Sequence, residues 1–136
     1  MARKDGTASR PLDVTLDQLK DAPFKFDFYQ AMRLLECTFS DARRFGHSMR
    51  LPDDPVRLSQ EPSLGFAPAS LSGFGPAADN KYHKLSVRFF GLCGPNGALP
   101  LHLTEYIRDR IRHHDDTTFA AFLDVFHHRM LSLFYR

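Results

Sequence analysis

The stretch "FLDVFHHRMLSLFYR", residues 122–136, decides the fold because its apolar side chains recur at helical spacing. The positions that recur at steps of three and four are Phe119, Phe122, Phe126, Met130, Leu133 and Phe134. This periodicity predicts an amphipathic helix that begins near Asp116 and continues to the last residue. So apolar a stripe is expected to be covered, its first half by a neighbouring helix and its second half, from Met130 onward, by another polypeptide surface.

The segment before this helix predicts a strand, a tight turn and a second helix. Alternation over residues 85–89 is typical of a half-buried strand, and a helix is expected over about 101–113. The turn between them is predicted from its glycines and prolines, which are Gly91, Gly94, Pro95, Gly97 and Pro100. Glycines serve turns because they allow positive φ or close approach, so at least one is expected at positive φ. In the second helix the residues expected to be buried are Leu103, Tyr106, Ile107 and Ile111.

The N-terminal part predicts two shorter helices after a mobile leader, residues 1–14. A capping box at Thr15–Gln18 is expected to open the first helix, which ends before Pro23. A second box at Asp27–Gln30 opens a helix that runs to about Cys37. In the helix that Asp27 opens, the residues expected on the buried face are Phe28, Met32 and Leu35.

Residues 41–82 predict a long irregular region, because prolines and glycines interrupt every pattern except a short strand at Val56–Gln60. The part from Pro68 to Asn80 is rich in Ala, Ser, Gly and Pro and is expected to be the most mobile. The whole chain from residue 15 onward is therefore predicted to be an α+β protein, mainly helical, with a few short strands and long irregular loops.

Composition excludes several classes of protein. Of the 136 residues, 43% are hydrophobic, which is enough for one core. The net charge is only +2, whereas a dedicated nucleic-acid binder has a concentrated excess of basic residues. No apolar leader or membrane-spanning stretch is present, which indicates a cytosolic protein. Cys37 and Cys93 lie far apart and are expected to be reduced thiols.

Two histidine-containing clusters could carry chemistry. His113, His114, Asp115 and Asp116 are of the types that bind zinc or iron, but they fall at a junction between two helices. There, the residues are expected to cap the helix ends rather than to bind metal. His127 and His128, with Asp124 one turn before His128, could form a general base, although surface histidines that tolerate replacement by Ala are the favoured interpretation.

Two further patterns are weaker signals. "GLCGPNG", residues 91–97, lacks the spacing of a phosphate-binding loop, and Cys93 has no sequence partner typical of a thiol enzyme. The basic run at residues 108–114 and the pair Arg43 and Arg44 could contact phosphates, although a solvated helix face is the favoured interpretation of the run. We therefore predict no catalytic residue, metal or cofactor, and keep a nucleic-acid module or a His/Asp metal-dependent hydrolase as alternatives.

Three stretches closely resemble TssG, the ImpH/VasB family of baseplate subunits of bacterial type VI secretion systems. They are "FDFYQAMRLLE" at 26–36, "VRLSQEPSLGF" at 56–66, and the segment from "LSVRFFGLCGPNGALP" at 85 to "FLDVFHHRMLSLFYR" at 136. The resemblance extends from about Phe24 to the last residue. Family members continue further, so it implies the N-terminal part of a longer protein.

The resemblance also implies a function, a location and partners. Members of the family join two copies of TssF in a baseplate wedge, to which TssE and TssK attach, at the inner face of the cytoplasmic membrane of a Gram-negative bacterium. They have no enzymatic activity, cofactor or small-molecule substrate, and they neither bind nucleic acid nor insert into the membrane. The terminal helix is expected to enter a helical core shared between chains, with a partner interface formed by Phe122, Phe126, Met130, Leu133 and Phe134.

Overall fold

The computed structural model describes residues 11–77 and 81–136, and within these ranges the chain forms four α-helices and a three-stranded sheet. The elements are α1 (Pro11–Asp21), α2 (Phe28–Thr38), β1 (Val56–Gln60), β2 (Leu71–Pro76), β3 (His83–Val87), α3 (Leu101–His114) and α4 (Thr118–Tyr135). Short 3₁₀ turns lie at Pro23–Lys25 and Leu51–Asp53. This arrangement confirms the predicted α+β fold.

Helix α1 includes residues that were predicted to belong to the leader. Its first turn contains residues 11–14, and proline is well suited to that position because its missing N–H would have no partner there. The capping box predicted at Thr15 is wrong, because the Thr15 hydroxyl lies inside the helix and donates to the Pro11 carbonyl at 2.9 Å. The remainder of the predicted leader, residues 1–10, lies outside the described residues.

Helix α2 confirms its sequence signals. Asp27 and Gln30 form the predicted capping box, with the Asp27 N–H donating to Gln30 Oε1 at 3.1 Å. Phe28, Met32 and Leu35 are buried as expected. The box satisfies N–H groups that have no partner within the helix, so the start of α2 is fixed by local sequence.

The sheet has the strand order β1-β3-β2, with β1 parallel and β2 antiparallel to β3. The strand predicted at Val56–Gln60 is confirmed, whereas β2 lies within the stretch predicted to be most mobile. Leu71 and Phe74 of β2 are buried, so packing overrides the glycines and proline of "LSGFGP". Residues 78–80 of that stretch lie outside the described part of the chain. Strand β3 ends at Val87, and Phe89 lies beyond it.

The buried apolar residues form two clusters. The larger one packs α1 and α2 against one face of the sheet, with Leu131 of α4 at its side. The smaller one contains Cys93, Ile107 and Leu123 and joins α3 to α4. The prediction that Tyr106 is buried is wrong, because 52% of this residue is exposed, although its ring contacts that of Phe119 at 6.3 Å.

Candidate functional site

Helix α4 lies along the free edge of strand β1, and its side chains accept hydrogen bonds from the strand's backbone. The Leu58 N–H donates to His128 Nδ1 at 3.0 Å, and the Gln60 N–H donates to Asp124 Oδ1 at 3.3 Å. These two bonds satisfy donors that no neighbouring strand reaches, because β1 is at the edge of the sheet. We call Asp124, His128 and their neighbour His127 the α4 seam.

His128 is a buried link between β1 and the segment that precedes it. Because Nδ1 accepts the Leu58 N–H, the ring proton is on Nε2, which donates to Asp54 Oδ2 at 2.7 Å. The Ser48 hydroxyl donates to the other oxygen of Asp54 at 2.5 Å. All three side chains are buried, and burial lowers the pKa of His128 although Asp54 opposes that shift.

His127 connects α4 to the glycine-rich turn. The Leu92 N–H donates to His127 Nε2 at 3.0 Å, so Nδ1 carries the proton and donates to Asp124 Oδ1, also at 3.0 Å. Asp124 was predicted to pair with His128, but the structure pairs it with His127 and places Lys84 3.5 Å from its second oxygen.

The prediction that His127 and His128 are surface residues is therefore wrong. Only 1% of His127 and 3% of His128 is exposed. Their ring nitrogens hold backbone groups of the same chain, an arrangement that positions secondary structure and leaves neither ring free as a general base. The sequence signal for this role was available in part, since polar residues at 124, 127 and 128 share the side of α4 opposite to Phe122.

The turn over residues 91–100 has the glycine conformations that the sequence predicted. Gly91 and Gly94 have φ of 150° and 93°, and a Cβ on Gly97 would lie 2.3 Å from the Leu92 carbonyl oxygen. The Gln60 amide holds the turn by donating to the Cys93 carbonyl and accepting from the Cys93 N–H, both at 2.9 Å. Of the two prolines, Pro95 is exposed and Pro100 lies at the N-cap position of α3 without a side-chain capping hydrogen bond.

The cluster at residues 113–116 occupies a helix junction, as predicted. Asp115 ends α3 in a left-handed conformation with φ of 48°, and Asp116 Oδ1 accepts the Thr118 N–H at 3.0 Å. Arg110 donates to the other oxygen of Asp116 at 2.6 Å, and these contacts hold the pKa of Asp116 well below its usual range. Within residues 11–77 and 81–136, no group of three or more His, Cys, Asp or Glu side chains could hold a metal ion.

The other candidate for chemistry, Cys93, is buried at the base of the turn. Burial, reinforced by the charge of Asp124, raises its thiol pKa. A raised pKa keeps the group as a thiol and disfavours nucleophilic chemistry, since the thiolate is the reactive form. Cys37 is an exposed free cysteine.

Helix α4 turns a second apolar face away from its own sheet. The residues of this outward face, with their exposed fractions, are Phe122 (57%), Val125 (51%), Phe126 (49%) and Leu133 (47%). The prediction that α3 covers the first half of the stripe is confirmed for Phe119, which packs towards α3, and wrong for Phe122, which is exposed; sequence reasoning also missed Val125. A helix that is apolar on both sides is typical of one that is covered on both sides.

The last turn of α4 is held to α2 by an aromatic cluster. The Phe134 ring lies 5.2 Å from that of Phe90 and 6.2 Å from that of Phe28, yet 46% of Phe134 is exposed. The Tyr135 hydroxyl donates to Glu36 Oε2 at 2.9 Å, and burial together with this carboxylate raises the pKa of Tyr135 to about 12. Met130 is partly buried beside the glycine-rich turn.

Asp124, His127 and His128 of the α4 seam hold the chain's own elements together, and the outward face of α4 is apolar and exposed. That combination is typical of a subunit that works by packing against other chains.

Comparison with known proteins identifies the family. The family model described as "Type VI secretion, TssG" matches residues 22–136, and the chain belongs to this family. The TssG family is a structural component of the type VI secretion system. No curated protein and no solved structure gave a match. In the described part of the chain, none of the helices is long and apolar enough to cross a membrane.

Replacing His128 by Ala is expected to lower the free energy of unfolding by about 3 kcal/mol, because it leaves the Leu58 N–H and the Asp54 carboxylate without their partner in a buried site. Urea unfolding followed by circular dichroism measures the loss. His113→Ala is the matched control, since that side chain is 68% exposed and its removal should change stability by about 0.5 kcal/mol or less. Equal effects of the two substitutions would contradict the assignment of His128 to the seam.

Stability is also expected to depend on pH through His128. Its pKa in the folded protein lies below 6.5, so the unfolded chain binds the proton more tightly, and stability falls as the pH drops below about 6.5 until folded His128 itself titrates. Arg57 and Arg129 also disfavour the charged ring. Unfolding free energies measured from pH 7.5 to 5 should show a steeper decline for the natural protein than for His128→Gln. Parallel curves would show that His128 does not carry the effect.

Proposed function

We propose that this chain is a structural subunit of a type VI secretion baseplate wedge that packs with two copies of TssF. In this proposal TssE and TssK attach to the same wedge, and the assembly lies at the cytoplasmic face of the inner membrane. The outward face of α4 is the observation that carries the proposal. Stable protein interfaces bury about 1,600 Å² in total, and a helix face with two exposed Phe residues supplies the apolar centre that such interfaces need.

The five residues predicted as a partner interface have different parts in this proposal. Phe122, Phe126 and Leu133 belong to the outward face together with Val125. Phe134 and Met130 lie nearer to the aromatic cluster and the turn, so they would contact a partner at the border of the face. Large exposed aromatic side chains are frequent energetic centres of interfaces.

The proposal assigns no catalytic activity, cofactor, small-molecule substrate or nucleic-acid partner to the chain. The hydrogen bonds of His127 and His128 favour this, because each ring nitrogen already has a partner within the chain. The basic run of α3 offers no better alternative, since Arg110 is paired with Asp116 and His113 lies near Asp109.

The substitution Phe126→Asp is expected to abolish copurification with TssF when the two proteins are co-expressed, because it places a charge at the centre of an apolar contact. The matched control is Phe24→Asp. Phe24 is 63% exposed and lies in the 3₁₀ turn that packs on β2, at the opposite edge of the sheet from α4.

Pull-down of tagged TssF, with the amount of bound chain quantified, distinguishes the outcomes. The proposal expects full retention of the natural protein and of Phe24→Asp, and loss of Phe126→Asp. Retention of Phe126→Asp at the natural level would overturn the role of the outward face. Failure of the natural protein itself to copurify would overturn TssF as the partner.

A further inference from the structure

The face of the sheet that turns away from α1 and α2 is polar and open. Register pairs Arg57 with Lys84 and Ser59 with Ser86, so these four side chains project from the same side of β1 and β3. On β2 the neighbouring positions are Gly73 and Gly75, where an added Cβ would meet no atom within 4 Å. We call this surface the outer sheet face.

The outer sheet face is the floor of a groove of about 620 Å³ that runs beside α4. Its walls include apolar residues from three elements. These are Leu51 of the second 3₁₀ turn, Ile111 of α3, and Ala121 and Val125 of α4. Val125 also belongs to the outward face of α4, so the groove and that face form one continuous surface. A protein that packs on the outward face would therefore reach the mouth of the groove.

Within this groove Arg57 differs from the paired cations elsewhere in the described residues. Arg88 pairs with Glu61, and Arg110 pairs with Asp116, whereas within residues 11–77 and 81–136 no carboxylate pairs with Arg57. Its guanidinium lies over the Tyr82 ring at 4.9 Å, and its Nη1 atom is buried without a hydrogen-bond partner. Because Nη1 itself is closed to solvent, an acceptor that enters the groove would reach the rest of the Arg57 guanidinium, which lines the groove, and would form a charge-assisted contact there.

The two carboxylates that line the groove, Glu61 and Asp124, do not supply this acceptor, and Glu61 is already paired with Arg88 at 2.7 Å. Asp124 accepts hydrogen bonds from the Gln60 N–H and from His127, and its second oxygen lies near Lys84. Both oxygens of Asp124 therefore already have partners within the chain. The unmatched charge of the groove is positive, and the hydroxyls of Ser59 and Ser86 beside it add neutral polar groups.

We propose that the groove receives a carboxylate side chain, Asp or Glu, from the same protein that packs on the outward face of α4. The inference rests on the proposed function and adds the chemistry of the contact to it. The carboxylate accepts from the Arg57 guanidinium, and the chain that carries it lies against Val125 and Ile111. Apolar walls beside a single stacked guanidinium favour a protein side chain over the phosphates of a nucleic acid, which are bound by several cations at a solvated surface.

The test measures the affinity of the purified chain for TssF as a function of salt concentration. Arg57→Gln, which removes the charge, is expected to raise Kd at least about 10-fold at low salt and to weaken the salt dependence, because one partner of a charge pair is lost. The control is Arg33→Gln, an exposed arginine on α2, which packs on the opposite face of the sheet. That variant should bind like the natural protein.

A second measurement on the natural protein keeps the proposal falsifiable if Arg57→Gln fails to fold. The Lys84 side chain is 45% exposed in the same groove, so a zero-length carbodiimide cross-linker should join its amine to an Asp or Glu of TssF. Mass spectrometry of the cross-linked complex identifies the peptide. Cross-links of Lys84 to Asp124 alone would overturn the proposal.

The remaining outcomes separate this inference from the proposed function. If Arg57→Gln binds TssF like the natural protein while Phe126→Asp does not, the carboxylate contact is wrong and the packing role stands. If both variants bind TssF like the natural protein, both proposals fail. If a fluorescein-labelled DNA duplex binds in a salt-sensitive manner that Arg57→Gln abolishes, the groove is a phosphate site and the inference is overturned.

Discussion

Strand β1 lies at an edge of the sheet, and helix α4 covers that edge with side chains that accept its backbone hydrogen bonds. Backbone N–H groups at the edge of a buried sheet need acceptors, and most proteins supply them with another strand, water or a covering loop. Here α4 supplies them with His128 and Asp124, and His127 extends the same contact to the glycine-rich turn. A helix can approach an edge in this way only with side chains that accept hydrogen bonds, which explains the histidines and Asp124 in a mostly apolar helix.

The seam also determines which surface the chain presents to others. Successive helix residues are rotated by about 100°, so turning positions 124, 127 and 128 towards β1 sends Phe122 and Phe126 to the opposite side. Ser132 adds to the inner side by donating to the His128 carbonyl at 2.6 Å. The polar seam and the apolar outward face are therefore two consequences of one orientation of α4, and a change in the first would misplace the second.

Local signals predicted those parts of the molecule whose causes are local. The capping box of Asp27, strand β1 and the positive φ of Gly91 each follow from a few adjacent residues. The seam could not be predicted in the same way, because His128 and Leu58 are 70 residues apart and a phenylalanine stripe on the other side gave the stronger periodic signal. Strand β2 was missed because its stability comes from pairing with β3 and not from its own propensities.

Amide hydrogen exchange at Leu58 and Gln60, followed by NMR, reports directly on the two N–H groups whose hydrogen bonds α4 accepts. Both amides are expected to be protected as strongly as those that bond β1 to β3, and protection of Leu58 is expected to be lost selectively in a His128→Ala variant that remains folded. Rapid exchange of both amides in the natural protein, at the rate of exposed backbone, would contradict this role of α4.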